Sequence, residues 1–277
     1  MTLQTALQQG TEILENAGIP VPRLTAEVLL CHALRCERSF LYAHSSDELA
    51  TNGWIHFGRY LNERLKGKPT QYITKRQEFY GREFRVTPDV LIPRPETEHL
   101  VEAAILRIRS QQVKRVLDVG TGSGAIAISV SLETQRPVIA CDISLAALKT
   151  AEWNRDKLAA NVQFFAGDLL SATAPQSVDL LLSNPPYVPG ADAANMQQEV
   201  RDWEPHIALF AGDSGLEIYA RLISEAALVV RPGGRLMMEL GFRSLDAVRE
   251  MLVDRWRDVD VIHDLAGLPR VLMATRI

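Results

Sequence analysis

The regular alternation of strand-like and helix-like segments after about residue 96 most constrains what this chain can fold into. Short aliphatic runs such as Val116–Val119 and Val178–Ser183 alternate with amphipathic runs such as Leu145–Leu158. Parallel strands need long crossover connections, usually helices, so this alternation predicts an α/β fold whose mostly parallel, seven-stranded sheet carries helices on both faces. The predicted helices span 96–110, 124–133, 145–158, 216–230 and 245–255, and the predicted strands 116–119, 138–141, 162–165, 178–183, 235–239, 259–263 and 270–276.

The residues before this region have a different pattern, which predicts a separate helical domain. Apolar residues recur at helical spacing, as Leu3 and Leu7 do, until Gly18 interrupts them. We expect a small bundle of roughly three to five helices. Next, Glu78-Phe-Tyr-Gly81 places a glycine between aromatic and β-branched residues, which indicates a β-hairpin. The predicted domains are therefore a helical domain at 1–76, a hairpin linker at 77–92 and the α/β domain at 93–277.

Composition excludes several classes of protein. The 277 residues carry a formal net charge of -4 and are 47% hydrophobic, which is typical of a globular chain without a general affinity for nucleic acid or membranes. The sequence has no signal-peptide pattern at its start and no apolar stretch long enough to span a membrane. Cys31, Cys36 and Cys141 lack metal-ligand spacing and are expected to be reduced thiols. We expect a cytoplasmic monomer without a metal site.

A glycine-rich turn follows the strand predicted at 116–119. Asp118-Val-Gly-Thr-Gly-Ser-Gly124 allows a tight turn and close approach of a ligand to the backbone, and it lacks the Lys-Ser/Thr ending of a P-loop. Asp142 ends the next strand, 142 − 124 = 18 residues beyond the last glycine, where an acid reaches the two hydroxyls of a ribose. Alone, Asp142 would be interpreted as the N-cap of the helix that starts near Ser144. Beside the glycines, the ribose interpretation is favoured.

The order of these residues resembles the S-adenosylmethionine-binding loop of the Rossmann-like methyltransferase superfamily and differs from the dinucleotide-binding fingerprint. Gly167-Asp168-Leu169 ends the following strand. In that superfamily this place faces the adenine. The resemblance therefore implies that the α/β domain binds S-adenosylmethionine.

Asn184-Pro185-Pro186-Tyr187 is the most specific motif in the chain. It follows a predicted strand, at the edge where open α/β sheets bind their ligands. Two prolines fix the backbone and remove two N–H donors, so the Asn184 side-chain oxygen and the Pro185 carbonyl present two acceptors that match a planar –NH2 group. Tyr187 offers a flat face against which a planar amide or base can stack. Because an amide nitrogen is a poor nucleophile, positioning it in line with a methyl donor is the main contribution that a protein can make.

Three further segments narrow the class of substrate. They are Gln71-Tyr-Ile-Thr, Leu91-Ile-Pro-Arg-Pro-Glu-Thr-Glu98, and the block from Glu199 to Leu209 that continues into Asp213-Ser-Gly-Leu216. With the two loop motifs, and in this order, they resemble the HemK/PrmC family of protein-glutamine methyltransferases over most of the chain. Lys75 and Ser244 depart from the family pattern, which often has Gly and Gln at these places. Without the family, Pro93-Arg94-Pro95 would be interpreted as a linker.

The resemblance implies that a methyl group is transferred from S-adenosylmethionine to the side-chain nitrogen of the glutamine in the Gly-Gly-Gln motif of peptide-chain release factors. It implies a catalytic role for Asn184, Pro185 and Tyr187, and contacts of the substrate glutamine with these residues and Pro186. The implied cofactor contacts are Gly120, Thr121, Gly122, Ser123, Gly124, Asp142, Asp168, Leu169 and Asn184. The helical domain and the hairpin would hold the release factor.

Other interpretations of the same motifs stay open. An amino-methyltransferase acting on adenine in DNA or RNA would use the same loop on a flipped base, but it predicts a large basic recognition region. A small-molecule methyltransferase would leave the helical domain without a role, and a catalytically silent module would carry damaged loops. Residues 59–85 hold eight Lys/Arg against three Glu, a local charge of +5 that fits either a solvated surface or a docking surface for an acidic partner or RNA. No stable binding of nucleic acid is expected.

Overall fold

A computed structural model of the chain describes residues 1–110 and 112–277. These residues divide into two compact units, Met1–Arg76 with Gln197–Trp203, and Gln77–Met196 with Glu204–Ile277. The division into domains at 1–76, 77–92 and 93–277 stays a prediction. Within the described ranges, no helix is both long enough and apolar enough to cross a membrane.

The first unit is helical, as the spacing of its apolar residues predicts. Its helices are α1 (Leu3–Asn16), α2 (Pro22–Leu34), α3 (Arg38–Ala43), α4 (Thr51–Leu65), α5 (Thr70–Thr74) and, in chain order, α9 (Gln198–Trp203). Leu14, Leu29 and Phe57 are fully buried where α1, α2 and α4 pack together. Lys75 ends α5 with a φ of 60°, in the left-handed region that favours glycine. This conformation accounts for the glycine that the family often has at this position.

The second unit contains the β-structure, apart from Arg76 at the start of β1, and the remaining helices. Its strands are β1 (Arg76–Phe79), β2 (Arg82–Arg85), β3 (Val116–Val119), β4 (Val138–Asp142), β5 (Val162–Ala166), β6 (Val178–Ser183), β7 (Val230–Glu239), β8 (Trp256–His263) and β9 (Pro269–Arg276). Its helices are α6 (Glu98–Ser110), α7 (Ala125–Thr134), α8 (Leu145–Leu158), α10 (His206–Leu209), α11 (Glu217–Val229) and α12 (Leu245–Glu250), with 3-10 turns at Pro95–Thr97 and Gly190–Asn195.

The described strands β3 to β9 form one seven-stranded sheet in the order β5-β4-β3-β6-β7-β9-β8. β3 pairs in parallel with β4 and β6, and β6 pairs in parallel with β7, whereas β9 runs antiparallel to β7 and β8. The predicted α/β fold with a mostly parallel sheet is therefore confirmed. The strand order reverses between β3 and β6, which is where open sheets of this kind form a ligand-binding crevice.

Strand β6 lies at the centre of the sheet, and all of its residues are buried. Leu180 and Leu182 belong to the hydrophobic cluster on one face, and Leu181 to the cluster on the other. A strand covered on both faces needs a continuous aliphatic run instead of an alternating pattern, and Val178–Ser183 provides one. The same burial fixes the position of the loop that follows β6.

Several predicted elements differ from the observed ones at their ends, among them the strand predicted at 259–263, which begins at Trp256. The predicted helix at 245–255 is wrong in its second half because α12 ends at Glu250, after which Met251 and Leu252 form short-range turn bonds and Asp254 takes a φ of 69°. The strand predicted at 235–239 begins earlier, at Val230, and its pairing with β6 shifts register between Val178 and Leu180. Local patterns do not specify such an irregularity, since it depends on the neighbouring strand.

The hairpin is fixed against the glycine-rich turn by one buried side chain. Tyr80 and Gly81 both have positive φ, 50° and 67°, as a tight two-residue hairpin turn requires. Asn154 of α8 is fully buried and accepts a hydrogen bond from the Arg85 N–H at 2.7 Å. Its amide nitrogen donates to the carbonyls of Arg85, at 3.0 Å, and Ser123, at 2.9 Å. One side chain therefore satisfies backbone groups of both segments.

Replacing this side chain should destabilise the second unit. We expect Asn154→Ala to lower the free energy of unfolding by about 3 kcal/mol, because the fully buried Asn154 amide loses three hydrogen bonds to the backbone of Arg85 and Ser123. Urea denaturation followed by circular dichroism measures the change. The matched control is Glu152→Gln on the exposed side of the same helix, which should change stability by no more than about 0.5 kcal/mol. Equal stability of the two variants would contradict the role of Asn154.

Candidate active site

The register of the parallel strands brings the polar motifs to one edge of the sheet. Val119 of β3 pairs with Cys141 of β4 and with Ser183 of β6, and Ser183 pairs with Met238 of β7. The residues that follow these four are Gly120, Asp142, Asn184 and Glu239. Because parallel strands all end on the same side, the glycine-rich turn, an acid, the Asn-Pro-Pro-Tyr motif and a second acid lie along one line.

The glycine-rich turn is closed by bonds to β4. The N–H groups of Gly120 and Thr121 donate to the Cys141 carbonyl at 2.9 and 3.0 Å, and the Gly122 N–H donates to Asp142 Oδ2 at 2.8 Å. Asp142 Oδ1 accepts the N–H of Ser144 at 2.9 Å. The N-cap of α8 is Ser144, whose hydroxyl accepts from the Ala147 N–H, so the N-cap interpretation of Asp142 is wrong.

Gly124 joins the turn to the helix behind it. Its φ is 81°, and a Cβ atom here would lie 2.9 Å from Ile128 Cδ1 and 3.2 Å from Ala151 Cβ. Only glycine combines this backbone conformation with so close an approach of α7 and α8. Ser123, beside it, is buried, and its carbonyl is used by Asn154.

Asp118 of β3 binds the side chain of Thr121 in the glycine-rich turn. Thr121 Oγ1 donates to Asp118 Oδ2 at 2.6 Å, and burial raises the pKa of Asp118 to about 7. Asp118 Oδ1 is buried and has no hydrogen-bond partner among the described residues. A Cβ atom on Gly120 or Gly122 would meet nothing within 4 Å. The open space over Gly120 and Gly122 leaves room for a ligand close to the backbone, such as the cofactor that the family resemblance implies.

Asp168 and Leu169 follow β5, two strands from the glycine-rich turn. Asp168 is exposed, and its carboxylate forms an ion pair with Arg221 of α11 at 2.9 Å. Leu169 is half-buried with a φ of 47°, and its carbonyl accepts the Cys141 thiol at 3.4 Å. Both residues lie at the predicted edge of the sheet, and their contact with adenine stays a prediction.

Hydrogen bonds and burial fix the Asn-Pro-Pro-Tyr motif where it follows β6. The Ser183 hydroxyl donates to the Val119 carbonyl at 2.8 Å, and Pro185 is buried. Asn184 Nδ2 donates to Thr97 Oγ1 at 3.1 Å. None of the described residues donates to Asn184 Oδ1. The amide of Asn184 is therefore oriented with its nitrogen toward Thr97 and its oxygen available as an acceptor.

Tyr187 packs against the backbone at the end of β7. A Cβ atom on Gly241 would lie 2.7 Å from Tyr187 Cδ2, so the ring is close enough to require glycine there. Burial, with the nearby charge of Glu239, raises the pKa of Tyr187 to about 12. Tyr187 therefore stays a neutral phenol at physiological pH and can act as a flat stacking surface.

Two polar residues of this site were not among the predicted site residues. Glu239 ends β7 with 3% of its surface exposed, and Thr97 is equally buried in the 3-10 turn before α6. Thr97 Oγ1 donates to Glu239 Oε2 at 2.6 Å. A sequence signal existed for both, since Thr97 lies in the Leu91–Glu98 segment and Glu239 is an acid directly after an aliphatic strand, as Asp142 is.

The segment before Thr97 is also fixed. Glu204, which is 3% exposed, accepts the Ile92 N–H at 3.1 Å and a hydrogen bond from the Arg94 guanidinium at 2.5 Å. Arg94 in Pro93-Arg94-Pro95 therefore has a specific partner within the second unit. These contacts help to set the position of Thr97, which follows two residues after Pro95.

Solved structures confirm the fold of the second unit. A methyltransferase from Pyrococcus furiosus aligns with a TM-score of 0.54 and 17% identity, covering 79% of this chain and 98% of that one. The 16S rRNA N2 G1207 methyltransferase RsmC of T. thermophilus, solved with AdoMet and guanosine, aligns with a TM-score of 0.53 and 20% identity, covering 73% of this chain and 50% of that one. At these identities the likeness concerns the fold.

Sequence comparison identifies the family. Residues 5–74 match the family model of the PrmC N-terminal domain, and residues 98–201 match that of the Methyltransferase small domain. The release factor glutamine methyltransferase of Koribacter versatilis (strain Ellin345) is 44% identical over 100% of this chain and 99% of its own length. That of Bacillus subtilis (strain 168) is 38% identical over 99% of this chain and 97% of its own. The chain therefore belongs to the family of release factor glutamine methyltransferases.

Proposed function

We propose that this protein transfers a methyl group from S-adenosylmethionine to the side-chain amide nitrogen of the glutamine in the Gly-Gly-Gln motif of peptide-chain release factors. The observation that carries the proposal is the orientation of Asn184, whose Nδ2 donates to Thr97 and whose Oδ1 is left as an acceptor. This acceptor lies in the motif that also supplies the Pro185 carbonyl and the Tyr187 ring. Relatives that match the whole chain carry the name release factor glutamine methyltransferase, which supports this substrate.

S-adenosylmethionine would be held at the carboxyl ends of β3, β4 and β5. The backbone of Gly120–Gly124 allows close approach, while the Thr121 hydroxyl binds Asp118 and Ser123 is buried within the turn. Each Asp142 oxygen accepts one backbone N–H, and each keeps a lone pair for a ribose hydroxyl. Asp168 and Leu169 would lie beside the adenine, and Asn184 would lie beside the methyl group. When bound, the cofactor supplies a methyl group on a positively charged sulfur.

The residues of the chain then act on the glutamine. Asn184 Oδ1 and the Pro185 carbonyl accept the two N–H groups of the side-chain amide, and Pro186 keeps the loop rigid. These neutral acceptors favour the positive charge that grows on the nitrogen during transfer, so no strong base is needed before attack, and the nitrogen releases one of its two protons to solvent after the methyl group has been transferred. Stacking on Tyr187 holds the amide plane, and the fixed geometry replaces the rotational freedom that a free side chain would have to lose.

An amino-methyltransferase acting on adenine is the alternative, because an adenine amino group would match the same two acceptors. The chain lacks the basic character that such an enzyme needs, since its formal net charge is -4. Part of the basic segment at 59–85 is neutralised within the first unit, where Arg64 pairs with Glu199 and Lys68 pairs with Glu63. We therefore favour the protein substrate.

The remaining parts of the proposal concern the protein partner and the cellular location. The helical domain, 1–76, would recognise the release factor and, with the hairpin at 77–92, hold it while its Gly-Gly-Gln loop enters the site. The release factor is the partner proposed, without stable binding of nucleic acid. The protein would act as a monomer in the cytoplasm, where release factors work.

The central test is methyl transfer to a release factor. Labelled S-adenosylmethionine is incubated with the enzyme and purified, unmethylated release factor, and in parallel with a Gly-Gly-Gln to Gly-Gly-Ala variant of that factor and with DNA. We expect label on the wild-type factor alone, because only its glutamine offers an amide to the two acceptors. Label on DNA, or label on neither form of the factor, would contradict the proposed substrate, whereas the conclusion about the fold would stand.

A second test separates the roles of Asn184. Asn184→Ala removes one of the two acceptors, and we expect kcat for release-factor methylation to fall by about 100-fold or more. The Kd for S-adenosylmethionine, from isothermal titration calorimetry, should change far less. If both quantities fall together, Asn184 is mainly a cofactor residue.

A third test concerns the ribose contact of Asp142. Asp142→Asn replaces one carboxylate oxygen by a donor, and we expect the Kd for S-adenosylmethionine to rise by about tenfold or more because charge-assisted hydrogen bonds are lost. The control is Asp156→Asn on α8, whose exposed carboxylate pairs with its neighbour Arg155. Unchanged calorimetric affinity in Asp142→Asn would remove the ribose role.

A further inference from the structure

A buried carboxylate and a buried hydroxyl lie directly behind the amide of Asn184. Thr97 Oγ1 is 3.1 Å from Asn184 Nδ2 and 2.6 Å from Glu239 Oε2, so the three side chains form one chain of hydrogen bonds. From this geometry we infer that Thr97 and Glu239 are positioning residues, which hold the Asn184 amide with its oxygen toward the substrate. The inference rests on the proposed function, in which that oxygen binds the glutamine.

The direction of each hydrogen bond follows from the chemistry of the groups. An ionised carboxylate only accepts, so the Thr97 hydroxyl must give its proton to Glu239. Thr97 Oγ1 then has only lone pairs to offer Asn184, which must therefore present its NH2 group. The opposite orientation of the Asn184 amide would set two acceptor oxygens against each other in a buried place. The charge on Glu239 thus decides which end of Asn184 points outward.

Both supporting residues are held on rigid segments. The Tyr219 hydroxyl donates to the Glu239 carbonyl at 2.8 Å and accepts the Gly241 N–H at 2.9 Å, which fixes the end of β7. Glu204 binds the backbone N–H of Ile92 and the guanidinium of Arg94, which fixes the approach to Thr97. A site residue whose own neighbours are locked in this way keeps one geometry, which is what amide recognition requires.

The charge state of Glu239 makes the arrangement sensitive to pH. The pKa of Glu239 is raised to about 7, mainly by burial and also by the charge of Glu96, against the lowering effect of the Thr97 hydrogen bond, Arg270 and Asn184. The other titratable groups that face it are the phenols of Tyr187 and Tyr219, whose own pKa values are raised by burial, so both stay neutral. Above about pH 7 the carboxylate orients Asn184.

Below that pH the orientation is lost. Protonated Glu239 can donate to Thr97, and the Thr97 hydroxyl is then free to donate to Asn184 Oδ1. The methyl-transfer rate should therefore fall as the pH drops through about 7, since the form that orients Asn184 is the ionised one.

The kinetic experiment compares Thr97→Val, Thr97→Ser and Glu239→Gln with the wild-type enzyme. We expect Thr97→Val, which has nearly the same shape without the hydroxyl, to lower kcat by about 100-fold, while Thr97→Ser restores most of it. The KM for the release factor should change less than kcat, and the Kd for S-adenosylmethionine should not change. Glu239→Gln should lower kcat and remove the acidic limb of the pH profile. Full kcat in Thr97→Val, or equal loss in Thr97→Ser, would overturn the inference.

A second readout does not depend on the substrate. The side-chain amide signals of Asn184 in a ¹H–¹⁵N spectrum are assigned as those missing in Asn184→Ala. We expect them to titrate near pH 7 in the wild-type protein, and to shift and lose this titration in Thr97→Val and Glu239→Gln. Signals whose shift and titration are unchanged in both variants would overturn the inference even in an active enzyme. Signals that follow them while no release factor is methylated would leave the positioning role intact and sink the proposed function alone.

Discussion

The parallel pairing of β4, β3, β6 and β7 is the constraint on which the site depends. Each of these strands is held on both sides by hydrogen bonds, and β6 is also buried on both faces, so none can shift along its axis without exposing aliphatic side chains. The registers of Val119 with Ser183 and of Ser183 with Met238 consequently fix where the polar residues after each strand lie. The site is thus assembled from four separate stretches of chain, each a direct continuation of a buried strand.

Local sequence was sufficient for the parts of the site that are formed by neighbouring residues. The Gly120–Gly124 turn and the Asn184–Tyr187 loop each follow a strand that its aliphatic run predicts, and both motifs were located correctly. The fold class followed from the same alternation of strands and helices. The early start of β7 and the end of α12 at Glu250 did not, because both depend on neighbouring segments more than on helix or strand periodicity.

The hydrogen-bonded pair behind Asn184 could not be derived in the same way. Thr97 and Glu239 are 142 residues apart, and each alone has an ordinary explanation, as a residue near a helix start and as the end of a strand. Only the position of the 3-10 turn against the end of β7 joins them. Glu204 is a similar case. In the sequence a Glu-Pro pair suggests only a turn, and the contact of Glu204 with Arg94 is visible only in the structure. The residues that hold a motif in place are contributed by distant segments, whereas the motif itself is contiguous.

Two buried carboxyl groups in this unit oppose stability at neutral pH. The pKa values of Asp118 and Glu239 are both raised to about 7 by burial, above the values of 3.8 and 4.5 that are usual for these side chains. A carboxyl with a raised pKa favours the folded state fully when it is protonated, below its unfolded pKa. That contribution is lost as the pH rises from the unfolded pKa through about 7. Glu239 therefore reduces stability under the conditions in which its charge orients Asn184, a conflict that is common where a site is held ready for its substrate.

The same arrangement explains how an amide can be distinguished from a carboxylate of equal shape. Glutamate differs from glutamine by one group, an oxygen in place of NH2, and that oxygen would face both Asn184 Oδ1 and the Pro185 carbonyl, so all three atoms would be acceptors. A site that is built to receive N–H groups disfavours such an analogue by several powers of ten, because buried polar groups are left unpaired. This discrimination requires that Asn184 cannot rotate its amide to offer NH2 instead. Thr97 prevents that rotation only while it accepts from Asn184 Nδ2, and it accepts only while Glu239 takes its proton. Selectivity for glutamine thus depends on a carboxylate that the substrate itself need not touch.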